Sequence, residues 1–179
     1  VQDLLGVEKF DPGAVAGVPD DGGGEGHFDT LAANLPLSPE LMNQYFQAAD
    51  ALLADLLLPD WRGDKSRKAV YGSVKPGPKL PERDAARQVF ERMARRAYRR
   101  PPLPGDVDRL LGLYDAARRR GADFAGGVKA GLKLLLVSPR FLVRIEADRP
   151  AAGAAPGVPV DAHELAVRLS YFLWGTMPD

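Results

Sequence analysis

Four acidic side chains near the N-terminus come closest to the spacing of a metal site. They are Asp20, Asp21, Glu25 and Asp29, and they lie in a glycine-rich stretch. Their carboxylates could bind calcium, which takes roughly six to eight oxygen ligands. The spacing does not fit the helix–loop–helix calcium motif, in which ligands alternate along the loop and a glutamate stands at the twelfth position. An acidic loop without a bound ion is therefore the favoured interpretation, and calcium binding is the weaker alternative.

The second group with possible chemistry is a run of arginines on one predicted helix, here called the arginine face. Its members are Arg87, Arg92, Arg95, Arg96, Arg99 and Arg100. Arginines at such spacing could follow phosphates or hold another anion. Nucleic-acid binders usually combine net positive charge with base-stacking aromatic residues, whereas this chain has a formal net charge of zero. Solvated or carboxylate-paired arginines are therefore the favoured interpretation, and no nucleic acid is expected as a partner.

No catalytic constellation is visible in the sequence. There is no serine in a nucleophile elbow, no histidine pair at metal-ligand spacing and no glycine loop that leads from a strand into a helix. The absence of cysteine excludes disulfides, thiolate metal ligands and covalent haem attachment through a Cys-x-x-Cys-His motif. His27 and His163 stand alone, and both are expected to be exposed. Enzyme activity stays open, because two of the 24 acidic residues could still meet in space.

The 179 residues suffice for one domain or two small ones, and no apolar run reaches the roughly 20 residues of a membrane span. Charge is distributed unevenly along the chain. Residues 1–60 carry 11 acidic residues and one basic residue, whereas residues 61–100 carry 13 basic and four acidic residues. The favoured interpretation is that the two regions face each other or face water, and a basic surface for an anionic partner is the alternative.

Apolar residues recur at helical spacing through most of the chain, which predicts an all-α protein. The expected fold is an irregular multi-helix bundle with a long Gly/Pro-rich acidic loop near the N-terminus. Residues 59–80 are rich in proline and glycine, so they are predicted to be a linker with short extended pieces around Trp61 or residues 69–71. Helices are predicted at about residues 38–57, 82–98, 106–120, 123–137, 139–146 and 161–174.

The densest apolar run, residues 130–146, is predicted to form the centre of the core. Ser138 and Pro139 break this run and also suit a new helix start, so they predict a helix–corner–helix unit. Gly126 and Gly127 weaken the preceding helix by about 1 kcal/mol each, and close approach of another helix is one reason for such glycines. The inward residues are expected to be Val128, Leu132, Leu135, Leu136, Phe141, Leu142 and Ile145.

The last predicted helix carries an apolar stripe but follows a connector rich in alanine, glycine and proline. The stripe consists of Leu165, Leu169, Phe172 and Leu173, and Trp174 follows it. An amphipathic helix of this length gains most of its stability from packing. We therefore expect this helix to lie loosely on the core or to expose an apolar patch.

Several stretches of the sequence resemble three consecutive domains of planctomycete cytochrome-associated proteins. The runs Ser138–Leu142 and Leu169–Trp174 are the more specific of them. Residues 95–101, 110–114 and 136–142 resemble one domain of unknown function, residues 163–179 resemble the opening of the next, and residues 3–7, 28–29 and 37–39 resemble the end of a preceding one. The resemblance implies a large, multi-domain, exported bacterial protein, some relatives of which carry a c-type haem domain or carbohydrate-binding modules.

The resemblance divides the chain into parts of three domains. These are a first helical domain with the acidic loop at 1–58, a linker at 59–81, a helical domain at 82–148, a connector at 149–160 and the start of a third domain at 161–179. Both ends of the chain look like cuts within a longer protein. No catalytic residue and no cofactor of this chain is implied, although haem c could sit on another domain.

The function expected on this basis is a non-catalytic structural or interaction module of a larger, haem-associated protein outside the cytoplasm. Its partners would be the flanking domains of the same polypeptide, and polysaccharide could be bound through other modules. Two alternatives remain open. One is a wall of a polysaccharide-acting or redox enzyme site that other segments complete, and the other is anion or nucleic-acid binding through the Arg87–Arg100 face.

Overall fold

The computed structural model describes residues 2–7, 39–56, 64–103, 105–143 and 160–175. The regular structure of these residues is α-helical, which confirms the predicted all-α class. The acidic loop, residues 8–38, lies outside the described residues. The helices are α1 (Gln2–Leu5), α2 (Pro39–Leu56), α3 (Asp64–Tyr71), α4 (Glu82–Ala97), α5 (Asp106–Arg119), α6 (Phe124–Leu136), α7 (Pro139–Leu142) and α8 (Ala162–Trp174).

Helix α3 corrects the expectation for the predicted linker. Residues 69–71 are not an extended piece but the last turn of this helix. The prolines of the region, such as Pro59 and Pro76, lie outside the eight helical residues and so do not interrupt them. Ser66 and Val70 are buried one turn apart, so α3 gains its stability from one inward edge.

The core is built around α6. Helix α5 packs along α6, α4 packs against both, and α2 and α7 contact other parts of α6, while α1 lies against α3 and α4. The apolar residues that recur at helical spacing on α4, α5 and α6 are buried, and those of α6 include the predicted inward residues Val128, Leu132, Leu135 and Leu136. One hydrophobic cluster contains these residues and also Leu4, Leu5, Ala49, Leu52 and Leu53 of the first predicted domain. The division into domains stays a prediction. Residues of the predicted first domain, 1–58, and of the predicted second domain, 82–148, share this core.

The predicted corner between α6 and α7 is confirmed. The Ser138 hydroxyl accepts a hydrogen bond from the backbone N–H of Arg140, and Pro139 occupies the first helical position. Phe141 turns back into the core. Ile145 lies outside the described residues. The corner therefore returns the chain to the core within a single turn of helix.

Two glycines of α6 let aromatic rings rest directly on the helix backbone. A Cβ atom on Gly131 would lie 2.3 Å from Cζ of Phe90, and one on Gly127 would lie 2.6 Å from Cδ2 of Tyr114. Both distances are far shorter than a real carbon–carbon contact. The predicted close approach is thus confirmed for Gly127, and the groups that approach are rings of α4 and α5.

An aromatic series links α3 to the core through Tyr71, Phe124, Tyr114 and Phe90. The ring centroids of Tyr71 and Phe124 are 6.1 Å apart, as are those of Tyr114 and Phe124. Burial raises the pKa of Tyr71 to about 12, and the negative charge of Asp123 adds to this effect. The neutral phenol is thus part of the folded state.

The raised pKa of Tyr71 predicts a loss of stability in alkali. An unfolded tyrosine titrates near pH 10, so the folded chain retains this proton more strongly. The contribution of Tyr71 is fully present below about pH 10 and is lost as the pH rises towards about 12. Urea denaturation between about pH 9 and 11 should show a smaller decline for Tyr71→Phe than for the wild type. Equal declines would contradict the assignment, since Tyr98 and Tyr114 are present in both proteins.

Candidate functional site

The predicted metal ligands Asp20, Asp21, Glu25 and Asp29 lie outside the described residues, as does His27, so calcium binding stays a prediction. Across the part of the chain that the structure describes, no group of three or more His, Asp or Glu side chains could hold a metal ion. His163 is exposed in the first turn of α8, as expected. None of the described helices is long and apolar enough to cross a membrane.

Arg92 and Arg96 of the arginine face bind backbone carbonyls of other helices. Arg92 donates to the carbonyl oxygens of Lys68 at 3.2 Å, Ala69 at 2.9 Å and Val70, while Arg96 donates to that of Leu4 at 3.1 Å. The last carbonyls of a helix have no partner within that helix. The two arginines therefore cap the C-terminal ends of α3 and α1 from outside.

The half-buried position of Arg92 has an electrostatic consequence. Burial lowers the pKa of Arg92, and the positive charge of Arg96 one turn away lowers it further. Its Nε is buried and makes no hydrogen bond to any described residue. The Arg92 guanidinium is thus engaged with the end of α3.

Arg99 likewise donates to backbone carbonyls at the C-terminal end of α7, and it does so from a strained backbone position. Its φ angle is 56°, in the left-handed region that non-glycine residues seldom adopt. Its guanidinium donates to the carbonyls of Arg140, Phe141 and Val143 at 3.0–3.2 Å, and to the Tyr171 hydroxyl at 3.1 Å. Hydrogen bonds from a charged group contribute about 1.5–3 kcal/mol each, which offsets a backbone strain of about 1–3 kcal/mol.

The expectation of solvated or carboxylate-paired arginines is therefore correct for some of the arginine face and wrong for Arg92 and Arg99, which bind backbone carbonyls. Arg87 pairs with Asp108 at 3.0 Å, and Arg95 is exposed. The carbonyl contacts could not be predicted from the sequence, because any residue type can supply a carbonyl oxygen.

A groove of about 660 Å³ lies between α4 and the start of α5. The charged residues that line it are of both signs, and Arg87 is paired with Asp108. They are Arg87, Arg92, Arg95, Glu91 and Asp108. A phosphate-binding surface would need positive charge that is not neutralised nearby. This groove therefore gives little support to the nucleic-acid alternative.

A buried ion pair fixes α7 against the start of α5. Asp106 is almost inaccessible and pairs with the guanidinium of Arg140. The second carboxylate oxygen of Asp106 accepts a hydrogen bond from the Leu103 N–H at 2.8 Å. A negative charge in the first turn of a helix is also favourable to its dipole. Arg140 thus has a structural role, because its ion pair with Asp106 joins α7 to α5.

The strongest candidate for an interaction site is the outer side of α8, here called the α8 apolar face. Phe172 is 85% exposed and Trp174 is 70% exposed. On the other side of the helix Ser170 is buried and the Tyr171 hydroxyl binds Arg99. The helix therefore presents its apolar side outward, which is the second of the two alternatives expected from the sequence. The face consists of Leu165, Leu169, Phe172, Leu173 and Trp174.

Two segments of the chain match known protein families. Residues 85–146 match PSD5, a protein of unknown function (DUF1595), and residues 1–57 match PSD3, a protein of unknown function (DUF1587). The chain therefore contains matches to two consecutive domains of unknown function. Comparison with curated proteins found no match, and neither did comparison with solved structures.

Side chains on α2 and α6 join the two matched segments. Lys133 forms an ion pair with Asp50 at 2.6 Å, and its ammonium group lies 5.5 Å from the centre of the Phe46 ring. Leu52 and Leu53 of α2 belong to the same hydrophobic cluster as α6. Helix α8 lies beyond both matches, so the α8 apolar face belongs to neither family segment.

Proposed function

We propose that this chain is a non-catalytic structural and interaction module of a larger polypeptide, and that a flanking domain docks on the α8 apolar face. The outward exposure of Phe172 and Trp174 carries the proposal. Large aromatic side chains supply much of the binding energy at protein interfaces. Soluble domains rarely leave such residues together in water without a binding role.

The internal contacts support a structural role for the rest of the module. Arg92, Arg96 and Arg99 are engaged with helix ends, and Arg140 is paired with Asp106. Arginine side chains that bind helix ends or a buried carboxylate stabilise a fixed arrangement of helices. The chemistry of the described residues thus favours a scaffold over an enzyme site or an anion-binding surface.

The wider setting is proposed from the resemblance described above. We infer an exported bacterial protein that acts outside the cytoplasm, with haem c, where present, on a domain other than this one. Its partners would be flanking domains of the same polypeptide, and polysaccharide would be bound through other modules. The lack of cysteine agrees with the placement of covalent haem elsewhere.

Hydrogen exchange of α8 tests the docking proposal. The 179-residue chain would be compared with a longer protein that includes the sequence flanking it in its reading frame. In the short chain, the amides of α8 should exchange much faster than those of residues 132–136. In the longer protein they should slow at least about tenfold, because docking covers the helix.

Substitutions in the α8 apolar face make the test specific. Phe172→Ser with Trp174→Ser should abolish the slowing in the longer protein. Leu113→Ser is a matched control, since Leu113 is an exposed leucine on α5, and it should leave the slowing intact. Slow exchange of α8 in the short chain, or no effect of the flanking domain, would refute the proposal.

A further inference from the structure

The end of α1 lies in a groove between α3 and α4 and fills it with two leucines. Leu4 and Leu5 are completely buried, although they lie near the beginning of the chain. Among the described helices, α1 makes its main contacts with α3 and α4. The groove is therefore a binding surface for the last turn of this helix.

Polar groups of the groove bind the backbone of the same turn. Arg96 donates to the carbonyl of Leu4 at 3.1 Å, and the Ser66 hydroxyl donates to the carbonyl of Gly6 at 2.9 Å. Ser66 is itself buried. The groove thus supplies donors to two of the carbonyl oxygens that a helix end leaves without a partner in the helix.

The backbone conformation and the close fit against α3 both require glycine at the end of α1. Gly6 has a φ angle of 67°, which favours glycine. A Cβ atom there would lie 3.1 Å from the carbonyl oxygen of Lys65 and 3.2 Å from Cβ of Ala69. Two apolar side chains followed by a left-handed glycine are thus the features that the groove selects.

The two walls of the groove are joined to each other without the help of α1. Arg92 of α4 binds the carbonyl oxygens of Lys68, Ala69 and Val70 at the end of α3. Val70 is completely buried against the core. The groove can therefore keep its shape when α1 is absent, which is the property of a preformed binding site.

We propose that the α3–α4 groove is a peptide-binding site for a helix end of sequence Leu-Leu-Gly, occupied in this chain by Leu4–Gly6. The ligand is recognised by two leucine side chains, two backbone carbonyls and a glycine with positive φ. Leu4 and Leu5 belong to the core cluster, but the two walls of the groove are joined without them. A free peptide with the sequence of residues 1–9 therefore competes for the site.

Cleavage of the intact chain tests the proposal. A protease recognition sequence would be inserted at Gly22–Gly24, and the protein would be cut after folding. The N-terminal piece should stay bound during gel filtration and should be displaced by an excess of a synthetic peptide of residues 1–9. The remaining piece should keep its helical circular dichroism after displacement.

Peptide variants define the specificity. Leu4→Ala in the peptide should weaken displacement at least about thirtyfold, since it removes a fully buried side chain. Gly6→Ala should weaken it at least about fivefold because of strain and contact with α3. Val7→Ala is the matched control, because Val7 is only half-buried, and it should have a smaller effect than either.

Three results would overturn the proposal. The cut N-terminal piece could leave a folded remainder that does not bind the peptide, which would mean that the groove has no affinity of its own. Its release could coincide with unfolding of the remainder, which would make α1 an inseparable part of the core. Equal displacement by the wild-type and Leu4→Ala peptides would show that the groove does not recognise the sequence.

Discussion

Replacement of Leu135 by alanine is expected to lower the free energy of unfolding by about 2–5 kcal/mol, the usual cost of emptying a buried leucine site. Leu135 is completely buried on α6, the helix that contacts α2, α4, α5 and α7. Neighbouring helices that are already joined through several contacts cannot all move in to fill the cavity. The loss should therefore lie well above the range of surface substitutions.

Urea denaturation followed by circular dichroism measures this loss. Leu113→Ala is the matched control, because Leu113 is a leucine of α5 that is 38% exposed. The control should change the free energy of unfolding by no more than about 0.5 kcal/mol. A loss below about 0.5 kcal/mol for Leu135→Ala would show that the stripe on α6 is not the core.

Gly131→Ala is expected to destabilise the fold by about 1–3 kcal/mol, the usual cost of overpacking. Helix propensity alone predicts the opposite sign, because alanine is favoured over glycine by about 1 kcal/mol within a helix. The reason for the reversal is the ring of Phe90, whose Cζ lies 2.3 Å from the position of the new Cβ. Phe90 is completely buried, so the ring has little room to withdraw.

Gly112→Ala is the matched control for this prediction. Gly112 lies within α5, and nothing lies within 4 Å of the position of its Cβ. Here helix propensity should prevail, with a gain of up to about 1 kcal/mol. The double variant Gly131→Ala with Phe90→Leu should lose less than the sum of its parts. Stabilisation by Gly131→Ala similar to that of Gly112→Ala would contradict the packing of Phe90 on α6.

Local signals in the sequence predicted the helices and their ends well. The Asp123 side chain accepts a hydrogen bond from the Gly126 N–H at 2.7 Å, as expected of the residue before a helix. Asp161 and Glu164 form a capping box at the start of α8, an arrangement that their spacing favours. These features depend on residues within one turn of each other, so a single sequence contains all the information they need.

Interactions between distant segments of the chain were harder to predict from the sequence. Helix α3 was missed because its inward edge is short and prolines surround it, so neither periodicity nor propensity was decisive. The partners of Arg92 and Arg99 were missed because they are backbone atoms of other helices. The exposed stripe of α8 could be predicted, since its apolar residues had no evident partner, but the contact of Tyr171 with Arg99 could not.

The carbonyl contacts of Arg92, Arg96 and Arg99 have a consequence for how such proteins diverge. At the accepting positions, among them Leu4, Ala69 and Phe141, the oxygen is the same whatever side chain stands there. The acceptor residue can therefore mutate without any compensating change in the arginine. Methods that infer contacts from correlated substitutions depend on such compensation, so the joints between these helices are invisible to them even though arginines hold the helices together.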